Sequence, residues 1–206
     1  RPIYWMPGVP SPVTHPERLD IVIFREAEED VYAGIEWAKG SPEAKKMIAT
    51  LKDTFNVRVR DDSGIGVKPI SEFESKRLIR KAIRYAIENR RRSVTLVHKG
   101  NIMKYTEGAF REWGYELARA EFANDTVSWQ EVQEKHDGKP PEGKVVIKDV
   151  IADNMFQQLL LRLAQRGLVR QLEEVADHLA ALAVQATEGQ TDLREPLQDL
   201  RDLLRQ

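Results

Sequence analysis

Lys99 and Asn101 close a short apolar run, Ser93-Val94-Thr95-Leu96-Val97-His98-Lys99-Gly100-Asn101, so an amine and an amide follow directly on residues suited to a buried strand. A β-branched run ended by a glycine reads as a core strand, and open α/β sheets gather ligands where their strands end. A lysine so placed can take a proton from a substrate hydroxyl only where burial or neighbouring cations lower its pKa, and by spacing alone an ordinary solvated side chain is the commoner reading. Tyr32, inside Val31-Tyr32-Ala33-Gly34-Ile35-Glu36-Trp37, could donate a phenolic proton or simply pack on a strand. Arg25 carries the fixed fork that pairs with carboxylates, and the acids beside it offer a structural ion pair as the alternative.

Other candidates fail on pattern. His15, His98, His136 and His178 are scattered without metal-ligand spacing. Arg90-Arg91-Arg92 sits at a predicted helix end, where the dipole favours cations, and no aromatic residues interleave to stack on bases. Nucleic acid is therefore not an expected partner. The acids Glu26, Glu28, Glu29 and Asp30 read as a solvated turn, and Gly64-Ile65-Gly66 lacks the strand and helix that flank a dinucleotide loop.

The elements that must position these residues follow from hydrophobic period and breakers. Five prolines among residues 1–18 forbid helix there, and residues 19–24 have strand character. Residues 31–37 form a second strand-like piece. Ser41-Pro42-Glu43 starts a helix running to about Phe55, because the hydroxyl caps and proline fits the first helical position. Residues 57–60 alternate like a half-exposed strand, and residues 64–69 form a turn. Ser71 caps a helix with Phe73, Leu78, Ile79, Ile83 and Ile87 on one side.

Beyond the run at Ser93, a long helix carries Met103, Phe110, Trp113, Leu117 and Phe122. Residues 124–144 form a polar surface excursion with one short helix, residues 145–147 another strand, and Ile151 opens a final helical stretch. From Leu163 the composition changes: the tail has no lysine, isoleucine or aromatic residue. Leu168, Leu172, Val175, Leu179, Leu182 and Ala186 alternate spacings of four and three, an a/d seam. Leu193, Leu197, Leu200 and Leu204 repeat it after Gly189, and Asp192 with Glu195 could form a capping box. No proline interrupts residues 151–186, so the helix is predicted to continue through Leu163 toward Ala186 as a helical hairpin or a coiled-coil extension.

At 206 residues and 41% apolar content the chain can bury a real core. Its 32 basic and 33 acidic side chains leave a formal charge of -1, which gives no global field toward nucleic acid or anionic membrane. The lack of cysteine excludes disulfides and thiolate metal sites and fits a reducing cytoplasm. No stretch has the roughly 18 apolar residues of a membrane span, and no signal-peptide pattern is present. The start at Arg1 rather than Met fits a trimmed or excised segment.

Several pieces in one order carry a specific signal: Phe24-Arg25-Glu26, Glu29-Asp30-Val31-Tyr32-Ala33-Gly34-Ile35-Glu36-Trp37, Gly64-Ile65-Gly66-Val67-Lys68-Pro69, the stretch from Leu96 through Lys99-Gly100-Asn101 to Phe110, and Ile151-Ala152-Asp153-Asn154-Met155-Phe156-Gln157-Gln158. Together they resemble the central part of the NADP-dependent isocitrate dehydrogenases, within the isocitrate/isopropylmalate dehydrogenase family. The resemblance spans residues 1–162 and implies an α/β fold, the three-layer-like small domain of these enzymes with a β clasp at about residues 30–70, with residues 163–206 a helical tail and possible fused assembly module. It further implies oxidative decarboxylation of isocitrate with NADP and Mg²⁺ or Mn²⁺, in a homodimer joined through the clasp and interface helices.

By position, the resemblance makes Tyr32 the acid that protonates the enolate and Lys99 the group assisting alcohol deprotonation in the partner subunit's site. Arg1, Arg25 and Asn101 match substrate contacts, Gln157, Gln158 and Arg162 cofactor contacts across the dimer, and Asp153 one metal carboxylate. Three departures limit the inference. The family's serine- and asparagine-bearing substrate segment lies before Arg1, the heptad tail stands where a strand with two further metal aspartates follows Arg162, and Ala27 replaces a usual asparagine. The expectation is a chain that does not turn over isocitrate alone or hold NADP and metal stably. The alternative is an engineered or non-catalytic dimeric or oligomeric scaffold built from the dimerisation domain and the tail.

Overall fold

A computed structural model of the chain describes residues 6–10, 16 and 20–159. Two compact units divide it: residues 23–152, and a second made of residues 1–22 with 153–206. The expectations for Arg1, Arg162, the helix beyond residue 159 and the heptad tail fall outside the described residues.

The larger unit begins with an irregular stretch to Glu29 and a single 3-10 turn, Asp30–Ala33. There follow β1 (Glu36–Trp37), α1 (Pro42–Phe55), β2 (Ile65–Gly66), α2 (Glu72–Glu88), β3 (Ser93–His98), α3 (Glu107–Glu121), β4 (Thr126–Ser128), α4 (Trp129–Lys135) and β5 (Val145–Ile151). β1 and β2 make a small antiparallel pair, Glu36 opposite Gly66. The main sheet has the order β3-β5-β4 and is parallel throughout.

Its layers follow from side-chain alternation. On β5, Val145 and Ile147 face a core shared with Ile79, Ile83 and Ala86 of α2, Val94 and Leu96 of β3, and Leu117 and Ala118 of α3. Val146, one residue out of phase, joins Val127 of β4 and Val132 of α4 in a second cluster. Helices thus cover both faces of a parallel sheet, as buried strands require. The α/β, three-layer-like fold expected from the sequence is the fold observed.

Local signals placed the helices well. Ser41 Oγ accepts from the Ala44 amide at 3.1 Å with Pro42 in the first turn, and Ser71 Oγ accepts from Glu74 at 3.2 Å. α4 opens with a complete capping box between Ser128 and Glu131.

Several expectations need correction. Residues 20–26 form no strand, residues 31–34 turn instead of extending, and residues 57–60 are irregular. Residues 65 and 66, expected in a turn, are β2. Phe73 is 74% exposed because it projects away from the face that buries Ser75, Ile79 and Ile83. Met103 lies in the turn before α3 and not on the helix. Residues 124–144 contain a buried strand as well as the short helix: β4 is brief and polar at both ends, and only Val127 reports its burial.

The second unit has a turn near residues 6–9, closed by the Val9 amide on the Met6 carbonyl at 3.3 Å, and helical residues 153–159.

Candidate functional site

Lys99, Gly100 and Asn101 occupy the carboxyl end of β3, as the apolar run required. Lys99 is half-buried and Asn101 exposed. A carboxylate from the next helix fixes this turn: Glu107, in the first turn of α3, accepts the Lys99 backbone N–H through Oε2 at 2.6 Å. Its other oxygen accepts from Lys68 Nζ at 2.5 Å, and Lys68 also pairs with Asp30 Oδ1 at 3.2 Å.

The 3-10 turn carrying Tyr32 and the β3 turn carrying Lys99 are therefore clamped to one amine. Asp30 also donates its amide to the Pro69 carbonyl at 2.9 Å, and the Ser71 amide donates to Glu29 Oε2 at 2.7 Å. Burial would raise the Glu107 carboxyl, but the Lys68 amine and Lys99 amide override it and hold it below the usual carboxylate value. Burial likewise works against the charged Lys68, and its bonds to Glu107 and Asp30 prevail and raise it. Lys68 is thus a fixed cation.

The acids expected to form a solvated turn are in fact structural. Glu26 Oε1 accepts from the Ala27 and Glu28 amides at 3.0 and 2.8 Å, and Glu28 pairs with Arg77 at 2.9 Å. Sequence reasoning counted like charges and missed that each has its own donor. Arg25 is exposed, its guanidinium 4.9 Å from the centre of the Tyr32 ring, a cation–π contact. The phenol itself is 49% exposed.

Beneath the turn lies a polar group that sequence reading passed over. His98 is 2% exposed, with Nε2 3.0 Å from Asp149 Oδ2, and Tyr115 donates its hydroxyl to Asp149 Oδ1 at 2.7 Å. Burial would raise the Asp149 carboxyl, yet these two donors hold it below its usual value. Burial, followed by the Asp149 hydrogen bond, pushes the Tyr115 phenol up. The signal available was strand alternation: Val94, Leu96 and His98 share the inward face.

The remaining candidates lie in the second unit. Asp153 and Gln157 are exposed, and Gln158 donates to Asn154 Oδ1 at 2.8 Å, one helical turn apart. Among the described residues no three His, Asp or Glu side chains converge as a metal site. One carboxylate does not satisfy a divalent cation that takes six or more oxygens. The described residues thus do not by themselves fit the metal. An open groove of about 510 Å³ beside the β3 turn is lined by Gly100, Lys104, Tyr105, Arg111 and Trp113, among others. Among the described residues no helix is long and apolar enough to cross a membrane.

Residues 1–171 match the isocitrate/isopropylmalate dehydrogenase family. The chain is 60% identical over 183 residues to the NADP isocitrate dehydrogenase of Archaeoglobus fulgidus, covering 89% of this chain and 44% of the relative. It is 53% identical over 186 residues to that of Haloferax volcanii, covering 89% and 44%. Against that of Pseudomonas aeruginosa it is 51% identical over 192 residues, covering 90% and 45%. The chain spans less than half the length of these relatives. By the extent of that match, the chain belongs to the isocitrate/isopropylmalate dehydrogenase family.

Proposed function

We propose that this chain supplies the small-domain share of an NADP-dependent isocitrate dehydrogenase site, and that as an isolated polypeptide of 206 residues it does not turn over isocitrate. The observation that carries this is the Lys68 clamp, which ties the Tyr32 turn to the Lys99 turn, the two segments the chemistry needs. Arg25, and with it Arg1, holds substrate carboxylates through guanidinium forks. The Lys99 amine, presented to a neighbouring subunit, assists removal of the alcohol proton, and the Tyr32 phenol returns a proton to the enolate carbon after carbon dioxide leaves. Asn101 orients the substrate; Gln157, Gln158 and Arg162 contact the cofactor across the dimer; Asp153 gives one metal carboxylate. NADP accepts the hydride when bound.

The working unit in this reading is a cytoplasmic homodimer, built through a clasp at about residues 30–70 and the interface helices. Val31 and Ile35, 72% and 41% exposed, are apolar groups that such a clasp would cover. A second reading rests on the composition break at Leu163: residues 163–206 form a helical assembly module and the chain is a non-catalytic scaffold of higher order. Two measurements separate these. Light scattering should give twice the chain mass of 23.6 kDa; a monomer refutes the shared site, and a tetramer or larger favours the scaffold. A coupled assay of NADP reduction with isocitrate and Mg²⁺ should show no turnover, and detectable turnover would overturn the reading that the isolated chain is incomplete.

A further inference from the structure

His98 ends β3 with its side chain 1% exposed, held at both ring nitrogens. The Gly100 backbone N–H donates to Nδ1 at 2.9 Å. An amide can only donate, so Nδ1 is bare and the ring proton sits on Nε2, directed at Asp149 Oδ2 at 3.0 Å. The other oxygen of Asp149 is occupied by the Tyr115 hydroxyl at 2.7 Å. Three elements, β3, β5 and α3, thus meet in one chain of hydrogen bonds. Its far end is the amide between Lys99 and Asn101.

Packing alone does not call for this arrangement. An apolar ring would fill the space without burying two nitrogens that each need a partner. Residue 100 is matched to the ring as well: a Cβ there would lie 2.8 Å from His98 Nδ1 and 2.8 Å from Gly108 Cα, so the amide can reach the imidazole only because the residue is glycine. Glu107 holds the preceding amide, that of Lys99, at 2.6 Å. Consecutive N–H groups of the turn are therefore fixed by two different side chains.

We propose that His98 is a positioning residue: anchored by Asp149 and Tyr115, it holds the Gly100 amide through its bare Nδ1 and so sets the backbone from which Lys99 and Asn101 are presented. The proposal rests on the reading of Lys99 and Asn101 as the functional pair. Its test needs no turnover, so the two readings can fail separately.

In the ¹⁵N-labelled full chain, imidazole correlation spectra should place His98 Nδ1 in the unprotonated, pyridine-type region and Nε2 in the protonated, pyrrole-type region. A protonated Nδ1 would overturn the proposal outright. Two substitutions then divide the ring's roles. In His98→Asn the amide oxygen occupies the place of Nδ1 and can still accept from Gly100, while the reach to Asp149 is lost. In His98→Gln the amide nitrogen occupies the place of Nε2 and can still donate to Asp149, while Gly100 loses its acceptor. Hydrogen exchange at Gly100 should stay within about threefold of the parent in H98N and accelerate about tenfold in H98Q. Equal acceleration in both, with β3 and β5 core amides still protected, would reduce His98 to a packing residue. If either variant fails to fold, the tautomer of the unaltered chain decides.

Discussion

Gly100 and Gly108 face each other across the turn from β3 to α3, and alanine at each should move stability in opposite directions. A Cβ on Gly100 would meet Gly108 Cα at 2.8 Å, Gly108 N at 3.1 Å and His98 Nδ1 at 2.8 Å. Carbon contacts are favourable near 3.5–4.0 Å, so the overlap is about 0.7 Å and most of it is with backbone. The first turn of α3 cannot retreat easily, because Leu117 and Ala118 of the same helix are buried in the main core. Overpacking of this kind costs about 1–3 kcal/mol, and the reduced entropy of the unfolded alanine chain offsets only about 0.4–1 of it. Gly100→Ala should therefore destabilise by a net of about 1.3 kcal/mol, or about 3–5 °C in Tm. A Cβ on Gly108 finds its nearest neighbours at 3.7 Å, ordinary contact, in the first turn of a helix, where alanine's advantage is at most that of a helix interior, about 0.5–1 kcal/mol. Gly108→Ala should raise stability by up to that amount. Urea unfolding followed by circular dichroism measures both. A Gly100→Ala variant within about 0.5 kcal/mol of the parent, or shifts of the same sign, would refute the close approach on which the turn's geometry depends.

Lys68→Met should cost about 1–3 kcal/mol by stranding Glu107 and Asp30, and amide exchange should accelerate together at residues 30–33 and 99–101; acceleration at only one of them would deny the clamp. A carboxyl held below its unfolded value stabilises the fold above that value, and the stabilisation disappears as pH falls through the folded value. Asp149 and Glu107 are both held low, so urea midpoints should drop below about pH 4, and Asp149→Asn should flatten that drop; parallel curves for parent and variant would contradict it. Ser128→Ala, which removes the capping box of α4, should cost about 1 kcal/mol in the same unfolding assay.

The helices were legible because their signals are local. Ser41-Pro42 and Ser71 name their own caps, and Ile79 and Ile83 mark the inward face of α2 at helical spacing. What failed was extended structure outside the apolar core strands β3 and β5. Residues 57–60 alternate as a strand does but find no partner strand among the described residues, whereas Thr126–Ser128 hardly alternates and is a strand because β5 lies beside it. Pairing is decided by distant sequence, and three residues carry too little period to announce it. The 3-10 turn at Asp30–Ala33 was missed for a related reason: the Pro69 carbonyl, far along the chain, takes the Asp30 amide.

The site divides along the same line. Lys99 and Asn101 could be found because a strand end is a local event, while their supports could not, since Glu107, Lys68 and Asp30 meet through contacts that no spacing encodes. His98 lies between these cases. Its inward face follows from Val94 and Leu96 two and four residues earlier, and an imidazole on that face must be given partners or displaced. The partner could also be narrowed: β5 runs parallel beside β3 with Asp149 opposite Leu96, within reach of the ring. Alternation that turns His98 inward turns the next residue outward, so one strand end delivers a buried anchor and a presented lysine in consecutive positions. The amine's placement is thus inseparable from the imidazole beneath it, and a change at Asp149 or Tyr115 should be felt at Lys99 through the Gly100 amide.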